Sequence, residues 1–163
     1  ALHVPAFARE PGPGSAADGP ETAGAVVVLR SPGNGPVVAR LDPADGTLAA
    51  DGRRPVRLDG RATATVTAWR RRVSLHVRGP LRATRARVPL LDLRAGHEAT
   101  TSPASLRALA DALAAHRVRA AGTVVPQLRA QAAHLEAGGP LPVSPLAAHT
   151  RGGDGVLAAL PDL

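Results

Sequence analysis

The chain predicts an α+β fold: an antiparallel β meander, or a small barrel, of about seven short strands followed by an α-helical hairpin. Three observations carry this. Across residues 24–94, short runs rich in Val, Leu and Thr alternate with turn-forming pairs such as Asp45-Gly46, Asp59-Gly60 and Gly79-Pro80, and Asp-Gly between apolar runs is a hairpin signal because glycine supplies positive φ freely. Beyond Ser102 the apolar period changes from two to that of a helix. Pro/Gly-rich stretches flank the whole, which sets its limits.

Residues 1–23 hold Pro5, Pro11, Gly12, Pro13, Gly14, Gly19 and Pro20, a mixture of fixed and free torsions that reads as a flexible tail. The strongest strand evidence lies in 62–88. Ala62, Ala64, Val66 and Ala68 alternate with Thr63, Thr65, Thr67 and Trp69, and Val73, Leu75 and Val77 alternate with Ser74, His76 and Arg78. Pairing Ala68 with Val73 also matches Val66 with Leu75 and Ala64 with Val77, so one register satisfies both strands, whereas a one-residue slip buries Thr and Arg. The apex is then Trp69-Arg70-Arg71-Arg72. A further run, Arg82 to Val88, returns with Thr84, Ala86 and Val88 inward and Arg85 and Arg87 outward.

After a linker at 95–101, Ser102 followed by Pro103 starts a helix: an acceptor for orphan amides, then a residue that has no amide. Leu106, Leu109, Ala110 and Leu113 form one apolar stripe, ending near Arg117. A second helix begins near Thr123, with Pro126 tolerated in its first turn, a seam of Val125, Leu128, Ala132 and Leu135, and a stop at Gly138-Gly139. The hairpin spans 102–137 and packs on the sheet within one domain. Residues 138–163 read as a second Pro/Gly-rich tail with one apolar stretch, Val156 to Leu160. Strands followed by a helix are similar in element order to pleckstrin-homology-like barrels, an analogy of order alone.

Composition limits the chemistry. All 20 Lys/Arg positions are arginine, and Lys, Ile, Met, Cys and Tyr are absent. These types mostly have AT-rich codons, so a GC-rich gene, rather than selection for guanidinium chemistry, explains the arginines. Without cysteine there is no disulfide and no thiolate metal site. The longest apolar run, 25–29, falls far short of the roughly 20 residues of a membrane-spanning helix. A cytoplasmic location is favoured, with a tether or export as the alternatives, and the Ala1 start is compatible with removal of an initiator methionine or a leader. Net charge is +7, distributed as −2, +8 and +1 over residues 1–50, 51–100 and 101–163. The basic excess therefore belongs to the middle third.

Catalytic signatures fail on spacing. Ser15 lies between Pro13 and Ala17 where a nucleophile elbow needs glycines, and His97-Glu98 has Thr101 where a zinc protease needs its second histidine. Gly33-Asn34-Gly35 runs into Pro36-Val37-Val38, a strand, so it reads as a hairpin loop rather than a phosphate loop. Asp42, Asp45 and Asp51 alternate with Ala44 and Gly46 and read as turn formers rather than calcium ligands. His116 and His134 fall too far apart on an antiparallel helix pair to share a metal. No cofactor, metal or catalytic residue is expected, and the chain reads as non-enzymatic.

The basic surface remains. Arg72, His76 and Arg78 on one strand and Arg85 and Arg87 on the next face outward together, with Arg70 and Arg71 beside Trp69 at the apex. Two functions follow. The first is a non-catalytic protein-interaction or regulatory module, self-association included, whose helices, tail or sheet edge meet a partner. The second is an anion-binding module in which Trp69, Arg70, Arg71, Arg72, His76, Arg78, Arg85 and Arg87 contact nucleic acid or an acidic lipid surface. The dearth of aromatics and of RNA- or DNA-binding signatures weighs against nucleic acid.

Overall fold

A computed structural model describes residues 25–50 and 52–151. The described residues form two antiparallel four-stranded meanders. The first runs in order β1 (Val27–Arg30), β2 (Val37–Asp42), β3 (Thr47–Ala50), β4 (Val56–Arg57), and the second β5 (Thr63–Trp69), β6 (Arg72–Arg78), β7 (Arg85–Asp92), β8 (Ala99–Thr100). Helices α1 (Pro103–Ala115) and α2 (Ala121–Glu136), a 3-10 turn at Leu141–Val143 and the short α3 (Ala148–Arg151) follow. The α+β class and the strand-then-helix order match the sequence reading. The strands number eight rather than about seven, and the two sheets do not close into a barrel.

The β5–β6 hairpin has the register that the alternation predicts, with Ala64, Val66 and Ala68 opposite Val77, Leu75 and Val73. Its turn is tighter than expected. Trp69 pairs with Arg72, leaving Arg70 and Arg71 as a two-residue turn at φ 47° and 63°, the conformation whose twist fits a hairpin but which usually takes Asn-Gly. At the other end the chain does not turn at Gly79-Pro80 alone. The loop 79–84 is closed by the Gly79 amide donating to the Thr84 carbonyl at 2.8 Å, so β7 begins at Arg85 rather than Arg82.

β7 carries the decisive irregularity. Val73 pairs with Leu91 but Ser74 pairs with Pro89, which leaves Leu90 as an extra residue. Such a bulge accommodates Pro89, which has no ladder amide, and it reverses the parity of the strand beyond it. Leu90 and Leu91 are both buried, and Asp92 emerges on the outer face opposite Arg72.

The buried apolar core of the described residues is made of Leu, Val and Ala alone. Trp69 stays 63% exposed. Ser102 caps α1, its hydroxyl accepting from the Ser105 amide at 3.2 Å. The helix ends at Ala115 rather than Arg117. Residues 116–120 join it to α2, and Arg119 runs along the open edge of β5, exchanging backbone hydrogen bonds with Ala62 and Ala64. Because α2 starts at Ala121, Pro126 is its sixth residue, past the first turn where the sequence placed it. Leu135 is half-buried, while the polar Gln131 is buried in the seam. Gln131 Oε1 accepts from the Leu146 amide at 3.0 Å, which draws Leu146 and Ala147 into the core. The segment read as a tail from residue 138 is thus docked as far as Arg151. The expected tail at 1–23 and the apolar stretch 156–160 lie outside the described residues.

Candidate functional site

The outer face of the second sheet is ordered in cross-strand rows. Thr63, Arg78 and Arg85 form one, Thr65, His76 and Arg87 the next, then Thr67, Ser74 and Pro89, and finally Trp69, Arg72 and Asp92. Strand rise is about 3.3 Å per residue, so the first and last rows lie roughly 20 Å apart. The eight residues that the sequence grouped as one patch therefore divide between two ends of the sheet.

At the apex end, the Arg70 guanidinium lies 4.5 Å from the centroid of the Trp69 ring and covers one indole face. Arg72 is neutralised: its Nε donates to Asp92 Oδ2 at 3.2 Å, and Arg94 donates to the same carboxylate at 2.8 Å. The side-chain hydrogen bond from Arg94 pulls the Asp92 pKa down to about 2, its backbone amide and both positive charges reinforcing it against the burial that opposes ionisation. Asp92 is 16% exposed. This end is a structural clasp between β6, β7 and the β7–β8 loop.

The other end is a recess of about 250 Å³ lined by His76, Arg78, Arg85, Ala86, Arg87 and Arg53. Four guanidinium groups and an imidazole meet, and among the described residues no carboxylate joins the lining and none of these arginines forms an ion pair. The His76 pKa is pulled below its ordinary value, first by burial, then by the charges of Arg87 and Arg78. Arg87 has one side-chain partner among the described residues, its Nε donating to Ser74 Oγ at 3.3 Å, and Ser74 is only 2% exposed. A cluster of like charges in a concavity raises the local positive potential and suits a multivalent anion, whose oxygens can take paired N–H donors.

Arg53 was not among the sequence candidates. It sits in the β3–β4 loop of the first sheet and reaches the recess only through the packing of the two sheets. Beside the recess lies a larger basin of about 660 Å³, floored by Ser74, Pro89 and Leu91 and overhung by the β1–β2 loop and by Arg94, His97 and Glu98 of the β7–β8 loop. Arg87 lines both spaces. The β1–β2 loop is the hairpin loop expected of Gly33-Asn34-Gly35, closed by the Ser31 amide donating to Pro36 O at 2.9 Å. Gly33 is at φ +77°, and a Cβ there would come 3.1 Å from that of Ala99, so a small residue lets this loop lean on β8.

The remaining candidates are structural. Asp42 Oδ1 accepts from the amides of Ala44 and Asp45, an Asx turn, and Asp51 lies outside the described residues. His116 Nε2 is 2.8 Å from Pro43 O, and His134 Nε2 is 3.0 Å from Pro140 O. Among the described residues no group of three His, Asp or Glu is placed to hold a metal, and no helix is long and apolar enough to cross a membrane.

No protein-family model, curated protein or solved structure matches this chain.

Proposed function

We propose that this protein is an anion-binding module that takes a phosphate-like group in the recess of Arg53, His76, Arg78, Arg85 and Arg87. One observation carries the reading: four arginines from three separate segments line one concavity whose lining holds no carboxylate among the described residues. A sheet face that used charge only for solubility would intersperse the two signs, as the outer sides of the helices do. There Arg107 pairs with Glu136 at 2.6 Å and Arg129 with Asp111 at 2.9 Å. That internal pairing also gives the helices less to offer an interaction partner. A protein-interaction role draws its support from β1, an edge strand of the first sheet on which Val28, and Val26 just before the strand, are exposed.

The test is titration calorimetry with inorganic phosphate, in parallel with labelled duplex, single strand and anionic vesicles from about 50 to 200 mM salt, where phosphate-driven binding falls steeply. The paired substitution Arg53→Gln with Arg85→Gln is expected to abolish binding with folding intact. Substitution of Arg70 and Arg71 is expected to leave it unchanged, since they stand at the far end of the sheet. Phosphate, nucleic acid and vesicles all failing to bind at the lowest salt would overturn the reading and leave the β1 edge as the surface to pursue.

A further inference from the structure

The geometry points to a small phosphomonoester as the ligand, with its phosphate in the arginine recess and an uncharged, hydroxyl-bearing body in the larger basin. This rests on the anion-binding reading above and adds the rest of the ligand. Arg87 lines both spaces, so they adjoin at its side chain, and a ligand reaching past it would occupy both. The two spaces differ in charge. Among the described residues every charged group lining the recess is basic, whereas the basin contains the carboxylates of Asp92 and Glu98. Asp92 is already held by Arg72 and Arg94, while Glu98 has no ion-pair partner among the described residues. An anionic group is therefore driven toward the recess, and what lies beneath Glu98 has to be neutral and able to donate hydrogen bonds, as hydroxyls do.

The walls of the basin add a second requirement. Pro36, Val38 and Pro89 present carbon surface, so part of the body is apolar or has an apolar face. A volume of about 660 Å³ lies within the roughly 300–1,000 Å³ typical of small-molecule sites. A bare phosphate would leave it to water. The polarity along the cleft, basic and then mixed, matches a molecule charged at one end only. Ser74, nearly buried in the floor of the basin and bonded to Arg87, holds the guanidinium that both share.

The experiment is calorimetry of the full chain with AMP, ribose 5-phosphate, inorganic phosphate and unphosphorylated adenosine. At least one ester is expected to bind about tenfold more tightly than inorganic phosphate, and adenosine not measurably, since the body alone lacks the anchoring charge. Val38→Phe, which fills the basin, is expected to remove the advantage of the ester and spare phosphate binding. Glu98→Ala, at an exposed position that does not threaten folding, is expected to weaken the ester about fivefold and leave phosphate unchanged. Esters binding no better than inorganic phosphate would overturn this inference while the anion-binding reading stands. The same holds if nucleic acid or vesicles bind and the esters do not. Neither esters nor phosphate binding, with nucleic acid and vesicles also silent, removes both.

Discussion

Neutralising Arg85 is expected to make the protein more stable without anion and less stable with it. Arg78 and Arg85 are direct cross-strand neighbours, and Arg53 and Arg87 line the same recess. Opposed Cβ atoms stand about 5 Å apart, and guanidinium heads splayed to roughly 8 Å repel by about 0.5 kcal/mol per pair in water. Summed over its neighbours and discounted for exposure and salt, Arg85→Gln should stabilise the unliganded protein by about 0.5–1 kcal/mol, a rise of roughly 1–4 °C in Tm. Phosphate at about a hundred times its Kd adds about 2.7 kcal/mol to a protein that binds it, and the variant forfeits most of this gain. The stability order of the two proteins should therefore invert between low-salt, phosphate-free buffer and phosphate. Urea unfolding in both buffers reads it. A variant less stable than the parent without phosphate would mean that Arg85 has a structural partner, and an undiminished phosphate gain would place the anion elsewhere; either result refutes the reasoning.

Asp92→Asn should cost about 1 kcal/mol at pH 7, less than the full pKa shift implies because Arg72 and Arg94 are nearly half exposed. With the folded carboxylate lowered from 3.8 to about 2, this contribution is present above pH 4 and lost as pH falls through that window, so the gap between parent and variant should close there in urea titrations. His76 behaves in the same direction for the opposite chemical reason. Its folded pKa is below 6.5, so the unfolded chain takes up the proton first and stability declines as pH drops below 6.5; NMR should find the titration displaced downward, and anion binding beside Arg53, Arg78, Arg85 and Arg87 should move it back up. Gly46→Ala should destabilise by about 1–3 kcal/mol, since the residue is at φ +62° and a Cβ would fall 2.6 Å from the His116 ring; a change below about 0.5 kcal/mol in Cm would contradict this. Replacing Arg70-Arg71 by Asn-Gly should stabilise the hairpin by about 1 kcal/mol, relieving two left-handed arginines, with anion affinity unaltered in calorimetry.

The parts of the fold legible in the sequence were those governed by a local period. Alternation over Ala62 to Arg78 permits one register because a slip exchanges the two faces, and the stripe from Leu106 to Leu113 permits one buried side of α1. The parts that escaped were governed by single residues acting through tertiary contact. Leu90 reads as one more apolar residue until the partner strand shows it to be a bulge, and Gln131 reads as a surface position until the Leu146 amide is brought to it. The docking of 141–151 follows from that bond and from the burial of Leu146, neither of which has a period to reveal it.

The same distinction explains the site. His76, Arg78, Arg85 and Arg87 were found together because two adjacent strands place alternate residues on one face, a purely local inference. Arg72 meets the same rule and stands on the same face, but its pairing with Asp92 is not legible locally, since Asp92 reaches that face only through the reversed parity beyond Leu90. Arg53 obeyed no such rule: it comes from the other sheet, and nothing in its neighbourhood distinguishes it from Arg54 beside it. Yet Arg53 turns an arginine-rich face into a concavity, and concavity separates a site from a patch. A flat array of guanidiniums remains hydrated and screened, worth little to any one partner, whereas groups converging on a recess surrender part of that hydration and regain it from an anion that fits. The composition supplied the arginines indiscriminately, so their number carries no functional information; the proposed anion site rests on their convergence in a lining that holds no carboxylate among the described residues.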